Sequence, residues 1–430
     1  MRSNSAAQHE RVLKVFERFV ESAHDAGLVR MRVEDDVLEG DTITLDGQRL
    51  TNFGSCAYSG LNTDPRLKAA AIAAIERFGP VFSSSTAYTS VNLYTRLEEL
   101  LAQMFDASVV VPTTTTLGHL SCLPLVTGPG SAVLIDSQAH SSVHLATQVL
   151  KSTGIEVTPL PHNDVAALEA AVGEACASND QVWYLADGVY SMLGDIAPLE
   201  AIGRLLETHP NLWVYIDDAH GVGWAGRHGR GVVLEALDLH PRMIVAASLA
   251  KSLGAGGAVL VFPDPDLAAR VQIAAGPMTF SGPLHPAELG AAVAAVEIMV
   301  SDEQAEMKRR LDEQIRLVAR LGRQLGLPFG AFDHTPVWFA RIGKHDDAVE
   351  VGRRMIRDGY FLNLASIPAV PLGQSGLRFT HTLFHDLAQI EDMLRTLAVH
   401  ILDVVGEHVI DLSDEDAAQV IEPDGFERTA

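Results

Sequence analysis

The sequence predicts an α/β chain in which a mainly parallel sheet carries helices on both faces, joined to a smaller α+β C-terminal domain. Three observations lead there. From residue 64 to about 300, segments with a helical apolar period alternate with short, nearly continuous apolar runs. Runs such as Leu212-Trp213-Val214-Tyr215-Ile216 read as strands covered on both sides, as parallel sheets require. The chain has 430 residues, 47% apolar and 20% charged, which suits a large folded core rather than a disordered segment.

Taken in order, residues 8–29 show helical periodicity (Val12, Val15, Phe16, Phe19, Val20). A hairpin follows, with Thr42–Leu45 and Arg49–Phe53 around Asp46-Gly47, a turn pair that tolerates left-handed backbone. Helices are expected at Pro65–Arg77, Leu93–Phe105, Ser142–Ser152 and Val165–Ala177. Strands are expected at Ser108–Val111, Ala132–Ile135, Gln181–Ala186, Leu212–Ile216, Met243–Ala247 and Ala258–Phe262. Long helices at Pro283–Met299 and Asp302–Leu325 lead to strands near Val337–Ile342 and Leu377–Thr380 and helices at Ala348–Asp358 and Leu387–Val405. The resulting division is an N-terminal arm (1–51), a large domain (52–300), a small C-terminal domain (301–410) and an acidic tail (411–430).

The net charge of −23, without a basic stripe to neutralise phosphates, argues against nucleic-acid binding. Cys56, Cys122 and Cys176 are scattered and lack CxxC spacing, so free thiols in a reducing compartment are expected. No signal-peptide core is read in Met1 to Val20, and apolar runs such as Gly254–Phe262 are too short to span a bilayer. A cytoplasmic protein is the expectation.

Two strand ends carry the chemistry. One delivers Asp217-Asp218-Ala219-His220-Gly221, a carboxylate and an imidazole three residues apart. The next delivers Ser248-Leu249-Ala250-Lys251-Ser252-Leu253-Gly254, a hydroxyl and an amine three apart. Either strand end alone is commonplace. Together they match what pyridoxal 5′-phosphate (PLP) requires: an amine for covalent attachment and a buried carboxylate that keeps the pyridine nitrogen protonated. His220 suits either the cofactor's phenolic oxygen or the glycine-rich turn that follows it. Ser248 suits a helix cap, a phosphate contact, or both. The tract Thr113-Thr114-Thr115-Thr116-Leu117-Gly118-His119 follows a strand and opens a helix, which makes an anion cradle or plain capping. His140 is placed to stack on a flat ring. Its i,i+4 spacing to His144 raises metal binding as a rival, but no Glu or third ligand stands at a zinc-protease spacing, so no metal is expected. Arg378, on an apolar strand, suits a structural carboxylate or a substrate carboxylate equally.

These segments resemble the α-oxoamine synthase family of fold-type I PLP enzymes, from about Asn52 to Leu397. The resemblance is carried by Asn52-Phe53, Tyr58–Leu61, Asp136–His140 and Asp187–Leu199. It continues through Asp217–Gly221 with Gly229-Arg230-Gly231, Ser248–Gly254, Phe280-Ser281 and Leu377–Thr380. It implies that Lys251 binds the cofactor, Asp217 faces the pyridine nitrogen and His140 stacks on the ring. It also implies Ser191 and His220 at the phenolic oxygen, and Ser248, Thr115 and Thr116 at the phosphate. Ser281 would reach the phosphate of a neighbouring subunit, so a homodimer with shared sites is expected. Arg378 would take an amino acid's α-carboxylate. Lys251 would remove the α-proton, the carbanion would attack an acyl thioester, and loss of thiol and carbon dioxide would give an α-amino ketone. Transamination, retro-aldol cleavage or racemisation would use the same residues, and a non-catalytic binding protein would need none of them. The chain departs from the family pattern at Pro80–Ser90, at Tyr94 where a histidine is usual, in its all-threonine phosphate cup, and at 366–371, which lacks the usual arginine and threonine. It therefore resembles a divergent member with its own substrate pair.

Overall fold

The structure is a computed structural model that describes residues 14, 16–367 and 369–406. It divides into two compact units, one formed by 56–191 and 195–313, the other by the described residues up to Ser55, Met192–Gly194 and those from Gln314 onward. The tail expected at 411–430 and the first residues of the helix expected at 8–29 lie outside the described residues; 16–25 is helical.

The first unit is built on a seven-stranded sheet. In spatial order its strands are Ser108–Val110, Ala258–Phe262, Met243–Ser248, Leu212–Asp217, Gln181–Asp187, Ser131–Asp136 and Glu156–Leu160. The last five run parallel, and Ala258–Phe262 is antiparallel to both of its neighbours. The expected continuous burial is seen: Val214, Tyr215, Ile216 and every residue of Ala258–Phe262 are fully inaccessible. Each fully buried large apolar side chain of this kind contributes about 1.5–3 kcal/mol. Glu156–Leu160 was not foreseen. It is an edge strand that leaves Glu156, Thr158 and Pro159 exposed, so it lacks the apolar run that marks the interior strands.

Helix boundaries follow local chemistry. Pro65–Phe78 starts behind Asp64, whose side chain accepts the Arg66 N–H, with Pro65 at the first position. The helix expected from Pro283 begins at Pro286. Pro286 holds the preceding residue extended, and Glu288 reaches back to the His285 N–H. The helix opening at Thr115 runs to Val126, and helices not read from the sequence occupy Leu199–Thr208 and Pro265–Ala274.

In the second unit Thr42–Leu45 pairs with Gln48–Asn52, and Asp46 and Gly47 both take positive φ (47° and 73°). This is the type I′ turn that Asp-Gly favours. Gln48–Asn52 also pairs with Tyr360–Phe361, so the N-terminal hairpin is continuous with the C-terminal part of the chain. A separate antiparallel sheet orders Val337–Gly343, Ser375–Thr380 and Asn363–Ala365, with Leu387–Val405 as the last helix. Among the described residues no helix is long and apolar enough to cross a membrane.

Candidate active site

Parallel register brings several strand ends to one edge. Asp187 lies opposite Asp217, and Asp217 opposite Ala246, two residues before Ser248. Asp136 closes the strand on the other side of Gln181–Asp187. The carboxyl edge of a parallel sheet is where ligands bind in α/β folds.

Asp217 is almost wholly buried. Its Oδ1 accepts the Ala219 N–H (3.1 Å), and its Oδ2 meets Nε2 of His119 at 3.0 Å. Nδ1 of the same imidazole contacts the Tyr215 hydroxyl at 2.8 Å. Burial holds Tyr215 far above the usual phenol range, so its O–H donates to Nδ1 and leaves Nε2–H for Asp217. Burial alone would raise the Asp217 carboxyl. The electrostatic interaction and hydrogen bond of His119, followed by Lys251 and His140, outweigh it and hold the group below the ordinary carboxylate range. Asp217 is therefore a buried anion.

Its neighbour Asp187 has the opposite character. Burial and then the charge of Asp217 push it well above the ordinary range, although its Oδ1 accepts the His140 N–H at 2.9 Å. Two carboxylates so close do not both ionise, and the one that His119 hydrogen-bonds keeps the charge.

Lys251 lies in a turn rather than a helix, which corrects the helix considered from Ser248. Ser248 ends its strand, its Oγ accepts the Ala250 N–H (3.1 Å), and the Gly254 N–H closes on the Lys251 carbonyl (3.0 Å). Gly254 has φ 66°, and a Cβ there would sit 2.4 Å from the Asn62 backbone nitrogen, so the turn requires glycine. The Lys251 charge acts on Asp217, Asp187 and His140 together. His140 caps Ser141–Ser152, is exposed, and is lowered below the usual imidazole range chiefly by burial of part of its ring, with Lys251 adding to the effect. Near neutrality it presents an uncharged flat ring.

Thr115 and Thr116 are the first two residues of Thr115–Val126. Thr114 caps that helix by accepting the Leu117 N–H, so the first-turn N–H groups point outward as an anion cradle. The same helix carries His119 one turn further on. The chemistry of this donor set fits PLP: an amine, an ionised carboxylate in its electrostatic reach, a neutral imidazole, and a helix N-terminus flanked by hydroxyls.

Other expected residues are placed as follows. His220 is buried, with Nδ1 2.7 Å from the Tyr58 hydroxyl. Ser191 is half-buried beside the Val189–Ile196 bridge. Ser281 is exposed after the short helix Gly276–Phe280. The divergent segments touch this same stretch. The Ser85 hydroxyl donates to the Thr279 carbonyl (2.7 Å), and the Leu284 N–H donates to the Tyr94 hydroxyl (2.6 Å), whose pKa burial pushes up to about 12. Arg378 belongs to the second unit, buried in its strand between Phe339 and Asn363. The His144 ring donates a hydrogen bond to the Ser137 backbone carbonyl, and among the described residues no group of three or more His, Cys, Asp or Glu could hold a metal ion. His119 and Asp187 were missed from sequence. The first reads as an ordinary core histidine within the threonine tract, the second as a turn residue before glycine.

Comparison with known proteins identifies the family. Residues 48–397 match the aminotransferase class I and II family. The chain is 32% identical to the 8-amino-7-oxononanoate synthase of Maricaulis maris over 373 residues, covering 86% of this chain and 91% of that protein. It is 28% identical to a serine palmitoyltransferase of Bacteriovorax stolpii, covering 84% of each. In fold it resembles a serine palmitoyltransferase of S. paucimobilis solved with a bound PLP–myriocin aldimine, with a TM-score of 0.82, 24% identity, and coverage of 93% of this chain and 98% of that one. The chain belongs to the aminotransferase class I and II family and, within it, to the α-oxoamine synthases.

Proposed function

We propose that this chain is a PLP-dependent acyltransferase that condenses an amino acid with an acyl thioester, on coenzyme A or a carrier protein, releasing thiol and carbon dioxide to leave an α-amino ketone. When bound, PLP supplies an electron sink for the carbanion generated at the amino acid's α-carbon. The chain's residues do the rest. The Lys251 amine would anchor the cofactor and, once released, would take the α-proton. Asp217, kept ionised by His119, would hold a proton on the pyridine nitrogen. His140 would stack on the ring as a neutral imidazole. Thr115 and Thr116 at the helix N-terminus, with Ser248, hold the phosphate, and Ser191 and His220 hold the phenolic oxygen. Arg378 pairs with the substrate α-carboxylate.

The observation that carries this reading is an almost wholly buried Asp217 held by Nε2 of His119 (3.0 Å) and the Ala219 N–H (3.1 Å), with Lys251 and His140 in electrostatic reach. The protein acts in the cytoplasm, in keeping with its free cysteines. It works as a homodimer with shared sites. The exposed Phe280 beside Ser281, together with exposed Ile273 and Tyr88, supports a covered face there. The test is to mix the holoenzyme with a panel of amino acids and acyl-CoAs and measure free thiol and amino ketone. A synthase releases thiol only when both substrates are present and returns its cofactor unchanged. Conversion of the cofactor to its amine form by an amino donor alone would instead establish an aminotransferase.

A further inference from the structure

His162 lies between two carboxylates from different segments: Nδ1 is 2.9 Å from Oδ1 of Asp136, and Nε2 is 2.7 Å from Oδ2 of Asp195. Asp136 stands four residues before His140, and Asp195 four residues after Ser191. A neutral imidazole has one N–H and would aim a lone pair at one of the two anions. A protonated ring donates to both.

Asn163 reinforces the contact. Its backbone N–H donates to Oδ2 of Asp136 (2.9 Å), and its side-chain amide donates to Oδ2 of Asp195 (2.7 Å) and to the Ile196 carbonyl (3.1 Å). Asp136 also accepts the Gln138 N–H (2.8 Å), which shapes the turn into His140. The Tyr190 ring meets the imidazole edge-on, 4.4 Å between centroids.

We propose that His162, as an imidazolium, is a positioning residue that clamps the His140 loop to the Ser191 loop and so fixes two sides of the cofactor site; this rests on the function proposed above. Burial opposes the charge, but the hydrogen bonds to Asp136 and Asp195 prevail and raise the group to about 9. Asp136, Asp195 and Tyr190 face it directly. Tyr184, His144 and Asp187 act on Asp136 from the adjoining strands and helix. Because the folded value is raised, the clamp is intact below pH 6.5 and is lost as pH rises through about 9.

The test combines histidine-selective NMR titration with PLP affinity and kinetics for the wild type, His162→Gln and Asp195→Asn. We expect His162 to titrate near pH 9 in the wild type and lower in Asp195→Asn. Wild-type PLP affinity should fall above pH 9. His162→Gln should bind PLP about tenfold more weakly at pH 7.5 without that alkaline limb. Its kcat should drop about ten- to a hundredfold, with the amino acid KM changing less. A His162 that titrates near 6.5, or a His162→Gln protein of lower thermal stability with wild-type PLP affinity and pH profile, would overturn the clamp. If His162→Gln does not fold, the wild-type and Asp195→Asn titrations decide. A wild type that binds no PLP would instead overturn the functional reading, while its His162 titration would still judge the clamp.

Discussion

Asp187 and Asp217 end adjacent parallel strands in register, are 3% and 4% exposed, and yet differ in charge. Asp217 has His119 on one oxygen and Lys251 and His140 within electrostatic reach. Asp187 also feels Lys251, but among the described residues it has only a backbone N–H as hydrogen-bond partner, and it bears the repulsion of its neighbour. Asp218, next in the chain, resembles Asp187: burial, with Asp217 adding, lifts it to about 8 although the Val233 N–H donates to it. Equal burial with unequal partners gives one anion and two acids. Placement of hydrogen-bonding and charged partners, rather than exposure, decides which carboxylate can serve a pyridinium nitrogen.

The comparison breaks most sharply at Asp217. Asp217→Asn keeps the shape and removes the charge, and kcat should fall about 10²–10³-fold with a shifted visible band for the bound cofactor. His119→Phe preserves a ring but leaves Asp217 without its donor. Losing a charge-assisted hydrogen bond of this type costs about 1.5–3 kcal/mol, so kcat should fall about ten- to a hundredfold. Asp187→Asn should be mild, because a neutral carboxylic acid and an amide are near-isosteres that both accept the His140 N–H. Stability should change by less than about 1 kcal/mol in urea unfolding, and activity should remain within a few-fold. A large loss in Asp187→Asn would mean that Asp187 carries charge after all.

The pH dependence of stability sharpens the same contrast. The folded Asp218 binds its proton up to about pH 8, whereas the unfolded residue releases it near the model-peptide value. Native protein then holds more protons across this window, so stability should fall as pH rises from about 4 to 8 and level off for this group above that. Asp218→Asn should flatten the fall, as read by denaturant midpoints across pH. His162 adds a fall of the same sign that extends to about 9, which Asp218→Asn leaves in place.

Much of this site was readable before folding because local signals coincide with it. Strands buried on both sides announce themselves as Leu212–Ile216 and Met243–Ala247, and their ends then point to Asp217 and Lys251. Asp46-Gly47 encodes its own turn. The supporting residues were not readable, because their meaning arises only in three dimensions. His119 meets Asp217 from a helix 98 positions away, and His162 bridges carboxylates 26 and 33 positions from itself. Glu156–Leu160 lacked a signal for a different reason: an edge strand buries one side and part of another, so its pattern resembles a loop. The divergent segments gain meaning in the same way, since Ser85 and Tyr94 both hold the stretch around Ser281.

Lys251 is proposed to be the one amine that would carry the cofactor, with Asp217 as the carboxylate for its pyridine nitrogen. This central claim is tested most directly by reducing the purified holoenzyme with borohydride and mapping the product by peptide mass spectrometry. The account predicts a yellow protein that bleaches on reduction and a single pyridoxyl-phosphate adduct on the peptide containing Lys251. A colourless protein without an adduct, or an adduct confined to another lysine, would contradict it.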